Sequence, residues 1–293
     1  MARVEVLKTY KIFIGGQFPR TESGRFYSVH KKNKALLANI CLSSRKDLRN
    51  AVVAARKAQA GWAEKTAFNR SQILYRLAEM LETRKLQFIS ELLDLGITKS
   101  AAIKEVEMSV DRLIHYAGWC DKFQALNSSV NPVASSHFNF SVPEPIGVVG
   151  LIAPEDSPLI GLISAIAPII AGGNTCVVLS SYSKPTCSIS FAEIVATSDV
   201  PGGVINIITG ETKELLSHFS GHMDINALVY CRSSKTEKKE IQENSVSNLK
   251  RIFFWNRKWD DSKAQHPDLI MDLQEIKTTW HPVDVGMSGG SAY

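Results

Sequence analysis

Residues 148–161 read VVGLIAPEDSPLIG: an apolar run stops at Pro154, and two acids, Glu155 and Asp156, follow before the chain turns apolar again. Carboxylates at the end of a buried strand serve as ligand, as base, or as helix cap. As a pair they could divide general acid and general base work. The simpler reading is a turn acid that caps the helix starting at Pro158 and meets its dipole. His218 and His222 have the i, i+4 spacing of a metal face, but no third ligand accompanies them, so a helix end and its following turn is the plainer reading. The five cysteines (Cys41, Cys120, Cys176, Cys187, Cys231) contain no C-x-x-C pair. An odd, scattered set suits reduced thiols, and no metal is expected. Cys176 inside a strand and Cys231 at a strand end read as small buried hydrophobes, with Cys231 as nucleophile the lesser alternative. Gly172–Gly173–Asn174 looks like a phosphate loop, yet ending the helix before it is sufficient. The run KTEKKE from Lys235 reads as a solvated helix face.

These residues need elements to hold them. The 293 residues suffice for one large domain or two small ones. No apolar run has the length of a membrane helix, and 159–171 is too short to span. Residues 1–20 lack the order of a signal peptide, so the cytoplasm is the expected compartment. The net charge of +5 is spread along the chain, without a basic stripe interleaved with aromatics, so nucleic acid is not an expected partner. Residues 10–30 alternate around Gly15–Gly16, Pro19 and Gly24 and predict short strands and turns. Four helices are predicted next: from Ser43 or Ser44 to about Lys65, from about Asn69, over Lys85–Leu95 with a stop at Gly96, and from about Ser100 to Phe123. Ile103, Val106, Val110, Leu113, Ile114 and Ala117 form the inner face of the last. Beyond 136 the pattern becomes β/α alternation. HFNFSVPEP, GVVGLIA, NTCVVLS, VPGGVINIITG, INALVYC and RIFFW read as strands, with helices between the last five. That order predicts an open parallel sheet covered on both faces.

These segments resemble the aldehyde dehydrogenase superfamily. YKIFIGGQF is similar to its opening hairpin, and EVEMSVDRLIHYAGWCDK to its helix ending in YYAGWADK. EPIGVVGLIAPEDSPLIGLISAIAPIIAGGNTCVVLS is similar to its EP-x-GVVG-x-I-x-PWN stretch, and DVPGGVINIITG to its G-x-P-x-GV-x-NVV-x-G. The matches cover roughly residues 10–255. They imply an α/β chain: a modified Rossmann cofactor domain with N-terminal helices and a small oligomerisation element. The implied layout is 1–125 for the N-terminal hairpin and helices, 126–147 for an oligomerisation hairpin, 148–258 for the Rossmann-like domain, and 259–293 for a linker, C-terminal oligomerisation strand and tail.

The family oxidises an aldehyde through a cysteine thiolate, with oxyanion donors, hydride transfer to NAD(P) and a glutamate base. Its pattern is broken at each part. Asp156 replaces the Asn of PWN, and Glu155 its Trp. A carboxylate donates no hydrogen bond and repels an oxyanion, whereas one lost donor alone costs about 3 kcal/mol. Ser180 stands where the family's ribose-binding Lys would be, and Lys184 comes late. LVYCRSS replaces the FTGS segment, whose Gly lets the chain approach the pyrophosphate. Tyr230 is bulky there, while Arg232 or Lys235 could meet a phosphate. Trp255 stands for the Glu of LELGG, with Arg257–Lys258 for its glycines, and no cysteine follows Cys231. LQEIKTTWHPV resembles the family's last strand, so the catalytic domain is missing between Asp261 and that strand. This truncation with a retained tail resembles the second unit of family 16 aldehyde dehydrogenases, and implies a fragment or isoform of a longer protein.

The resemblance therefore implies a pseudoenzyme that works as a structural or partner-binding unit, as a homo-oligomer or with another protein. The alternative is a component of an NAD(P)-dependent enzyme whose catalytic domain lies elsewhere, and a dinucleotide sensor without chemistry is a third. If NAD or NADP binds, the candidate residues are Ile152, Ala153, Pro154, Ser180, Tyr230 and Arg232. No residue is assigned to catalysis; Asp156 and Trp255 are the degenerate positions.

Overall fold

The computed structural model describes residues 8–283. Near its start, β1 (Phe26–His30) and β2 (Leu36–Cys41) form an antiparallel ribbon. β2 is an addition to the sequence reading, which carried strands only to about residue 30. Ala38 and Ile40 face inward and Asn39 outward, but the apolar pair Leu36–Leu37 at its start, with Leu36 exposed, masks that alternation.

Four helices follow: α1 (Arg45–Ala63), α2 (Ala67–Thr83), α3 (Lys85–Asp94) and α4 (Lys99–Ala117). Ser44 starts α1 with a capping box, accepting from the Asp47 N–H while the Asp47 carboxylate accepts from the Ser44 N–H. Gly96, at φ +88°, ends the α3 turn in the left-handed region. The fourth helix does not run unbroken to Phe123. α4 stops at Gly118, and a separate α5 (Lys122–Asn127) follows. Ile114 is exposed rather than inward. Arg112 is buried instead, and its guanidinium donates to the carbonyls of Trp259 and Asp261.

β3 (Ser129–Asn131) and β4 (His137–Pro145) lead into β5 (Val148–Ile152). Then come α6 (Ile160–Ala171), β6 (Thr175–Leu179), α7 (Thr186–Ala196), β7 (Ile205–Ile208), α8 (Thr212–Gly221), β8 (Ala227–Tyr230), α9 (Lys235–Ser245) and β9 (Arg251–Phe254). β7-β6-β5-β8-β9 is an all-parallel sheet, as the sequence predicts. Alternate side chains serve two cores. Val149, Leu151, Cys176, Val178 and Val229 pack with α2, α4, α6 and α7. Val148, Ile152, Val177, Leu228 and Tyr230 pack with α1, α8 and α9. Burial on both faces is why these strands read as continuous apolar runs. α6 is buried at every position and is accordingly apolar all round. A Cβ on Gly203 (φ +97°) would stand 2.5 Å from the Ala54 carbonyl, so α1 approaches the sheet only over glycine.

After β9 the short α10 (Asp268–Met271) precedes β10 (Gln274–Pro282). β10 pairs antiparallel with β4 along nine residues, from Gln274↔Pro145 to Pro282↔His137. The tail strand read from LQEIKTTWHPV thus joins β3 and β4 in a second sheet of order β10-β4-β3. The end of the predicted tail, 284–293, lies outside the described residues.

Candidate functional site

In an open parallel sheet, a ligand crevice lies beyond the carboxyl ends of the strands where the strand order reverses. That point is β5, which has β6 on one side and β8 on the other. Ala153, Pro154 and Glu155 emerge from β5, and Cys231 and Arg232 from β8, so five chemically notable residues meet there.

Arg232 spans the crevice. Its Nε donates to the Ala153 carbonyl at 2.9 Å, and its two terminal nitrogens reach Thr212 Oγ1 at 2.5 Å and the Ser180 carbonyl at 3.3 Å. The guanidinium also pairs with Glu155 at 3.2 Å. Glu155 in turn accepts from the Ser183 N–H (2.7 Å), the Tyr182 N–H (3.2 Å) and the Ser181 hydroxyl (3.1 Å). Burial pushes the Glu155 carboxyl upward, but hydrogen bonds from Ser183, the Arg232 charge and the Tyr182 N–H outweigh it, and the net direction is down. Arg232 and Glu155 therefore form an ion pair whose hydrogen-bonding capacity is largely spent on the protein itself. The space left beside them is about 190 Å³, lined among others by Asp156, Arg257 and Trp259. Pockets for small organic ligands begin at roughly 300 Å³.

The remaining candidate residues diverge. The Ala153 and Ser180 carbonyls face the crevice, where Arg232 takes them. Pro154 is buried beside them. Ile152 and Tyr230 point instead into the core under α1, α8 and α9. The Tyr230 hydroxyl donates to Glu237, and its ring meets Phe254 edge-on at 6.1 Å. Lys184 reaches the Asp156 backbone carbonyl at 3.3 Å, and Lys235 is exposed at the start of α9. Trp255 is buried, its indole N–H donating to Asp272 at 2.9 Å. Neither Trp255 nor Phe254 before it can accept a proton.

Neither acid of the opening motif caps α6. Asp156 is exposed, and the helix has no side-chain cap from its own segment. Glu105 of α4 performs that role: its Oε1 accepts from the Leu159 and Ile160 N–H groups at 3.0 and 3.2 Å. Burial raises the Glu105 pKa although those two N–H groups act against it. Glu105 lies 54 residues before Leu159. No local signal marks it, because its partner is set by the packing of α4 on α6.

Cys120, Cys176, Cys187 and Cys231 are buried and unpaired, and Cys41 is half-buried. Burial raises the Cys120 and Cys176 thiols to about 12 and moves Cys187 and Cys231 strongly upward. None of the four is a thiolate near neutral pH. His218 lies in the last turn of α8, and His222 Nδ1 accepts from the Asp224 N–H at 3.2 Å. Among the described residues no cluster of three metal-ligating side chains occurs, and no helix is long and apolar enough to cross a membrane.

Residues 18–254 match the model of the aldehyde dehydrogenase family. The chain is 30% identical over 249 residues to the cytosolic 10-formyltetrahydrofolate dehydrogenase of Mus musculus, a match spanning 83% of this chain and 28% of that protein. It is 32% identical over 279 residues to an aldehyde dehydrogenase of Davidiella tassiana, spanning 94% of this chain and 54% of the relative. Its fold superposes on the NAD+ complex of an aldehyde dehydrogenase from Bacillus cereus with TM-score 0.79 and 27% identity, over 84% of this chain and 50% of that one. The chain thus spans between a quarter and about half the length of these proteins.

Proposed function

Since this chain belongs to the aldehyde dehydrogenase family, we propose that it is a catalytically silent member acting as a structural or partner-binding unit. The observation that carries the reading is Arg232. It stands in the segment where the family has glycine, and it fills the strand-end crevice with a guanidinium already bonded to Ala153, Thr212, Ser180 and Glu155. The residues present do not fit NAD or NADP in that crevice: no glycine opens it, and about 190 Å³ remains. The degenerate positions agree. Asp156 cannot donate to an oxyanion, Trp255 cannot act as base, and the buried thiols stay protonated.

Association rests on the second sheet. β4 and β3 expose Phe138 and Val130, with Phe140 and Val142 on the same face by their alternation. β3 and β10 are its edge strands among the described residues. An apolar face with open edges favours pairing with another sheet. On this reading the chain resembles the truncated unit of family 16 and works in the cytoplasm.

The test combines sedimentation with an assay for aldehyde-dependent NAD(P)H formation. The reading requires a chain without turnover, also in Asp156→Asn, and self-association predicts an oligomer. Turnover abolished by mutating one cysteine overturns the reading, and a monomer overturns self-association. A second reading has one observation in its favour: the chain covers only part of its relatives' length. In that reading it supports a catalytic domain supplied by another part of a longer protein.

A further inference from the structure

A second cavity, of about 460 Å³, lies between the first turns of α1 and the end of α8, away from the strand-end crevice. Its lining is cationic: Arg45, Lys46 and Arg49 come from α1, and His218 and His222 from the end of α8 and the turn after it. Ser217 adds a hydroxyl, and no carboxylate lines it. Lys46 is paired with Glu22 at 2.8 Å, at the rim. Arg45 and Arg49 make no ion pair or side-chain hydrogen bond with the described residues, whereas Lys46 between them is paired with Glu22. They are one helical turn apart and stand on one face. Burial and the Arg45 charge lower the His218 pKa. Burial, with Lys250, Arg49 and His218, outweighs Asp224 in lowering that of His222. The cations outweigh the one nearby carboxylate, Asp224, at His222, and only cationic neighbours act on His218.

Two unpaired guanidiniums one turn apart suit planar, two-point recognition of phosphate oxygens. The cavity is larger than a single phosphate needs and is lined by further donors. We propose that it is a binding site for a multiply charged small phosphate compound, an oligophosphate or a phosphate ester, independent of the strand-end crevice. Arg45 and Arg49 hold the phosphate oxygens. Ser217 and the two imidazoles, which can each donate one N–H while neutral, complete the shell.

Tripolyphosphate is the probe, titrated calorimetrically into the full chain at low salt. Three variants accompany it: the pair Arg45→Gln/Arg49→Gln, Lys57→Gln on the same helix outside the pocket, and Ser217→Ala. All positions are at the surface, and circular dichroism verifies the fold. Binding should weaken at least tenfold in the double variant, stay unchanged in Lys57→Gln, and fall as salt is raised. Absence of heat, or equal binding by the double variant, overturns the site. So does a short single-stranded oligonucleotide that binds more tightly than tripolyphosphate through the same two arginines, since that describes an extended nucleic-acid surface.

Discussion

Arg232 Nε donates to the Ala153 carbonyl oxygen at 2.9 Å, tying the end of β8 to the end of β5 across the point where the strand order reverses. A ligand of this fold would enter at that point. The bond converts an entrance into a closed seam, and the guanidinium that makes it is held from three further directions.

Removing the guanidinium should cost stability. Arg232→Ala leaves the Ala153 and Ser180 carbonyls without their donor and Glu155 without its ion-pair partner, at a loss of about 1–3 kcal/mol. Urea unfolding measures it. An unchanged midpoint at unchanged slope contradicts the seam.

Glu105 should matter to α6 although it lies on another helix. Glu105→Ala removes the acceptor for two N–H groups and should lower stability by about 1–2 kcal/mol. Glu105→Gln keeps one acceptor oxygen and should recover part of that loss in the same unfolding experiment. Equal effects of the two substitutions would show that the hydrogen bonds are immaterial.

Stability should fall on mild acidification. Burial is the first cause of lowered pKa values at His115, His218 and His222, helped by neighbouring cations. As pH drops through the ordinary value of 6.5, the unfolded chain takes up protons before the folded one does. The stabilisation is complete above that pH and is lost as pH falls through the lower folded values. Melting temperature against pH reads it, and His115→Gln should flatten the decline. A melting temperature that rises on acidification to about pH 5 has the wrong sign.

Thiol chemistry should be slow. In the native protein Cys41 is the most exposed of the five cysteines, and the other four are buried. An aromatic disulfide reagent should modify Cys41 first and the rest only with unfolding. Rapid stoichiometric labelling of Cys231 contradicts the burial argument for catalytic silence.

Association should depend on the β4–β3 face. Phe138→Lys with Val130→Lys places charge on two exposed apolar positions. It should lower the sedimenting mass without lowering the melting temperature of the separated chain. No change in mass moves the interface elsewhere.

The sequence carried the parallel sheet clearly, because strands buried on both faces are apolar throughout and helices separate them. The capped start of α1 and the glycine stop after α3 are local signals and were equally readable. The break at Gly118 was hidden by the apolar periodicity that continues through Cys120 and Phe123, both buried. β2 is masked by the apolar pair Leu36–Leu37, which blurs the alternation of Ala38, Asn39 and Ile40. At the site, the positions of Glu155, Asp156 and Arg232 followed from the motif order, but their roles did not. Arg232 meets Ala153 79 residues away, and Glu105 meets Leu159 across 54. Such contacts depend on helix packing and strand order, which no local spacing encodes. The helix cap assigned to the acid pair failed for that reason.

The most direct measurement of the central claim is calorimetric titration of the intact chain with NAD+ and with NADP+. With Arg232 bonded across the crevice, both traces should be flat. Micromolar binding of either dinucleotide, retained in Arg45→Gln/Arg49→Gln and so not owed to the α1–α8 pocket, would contradict the closed crevice, the observation that carries the silent-member reading.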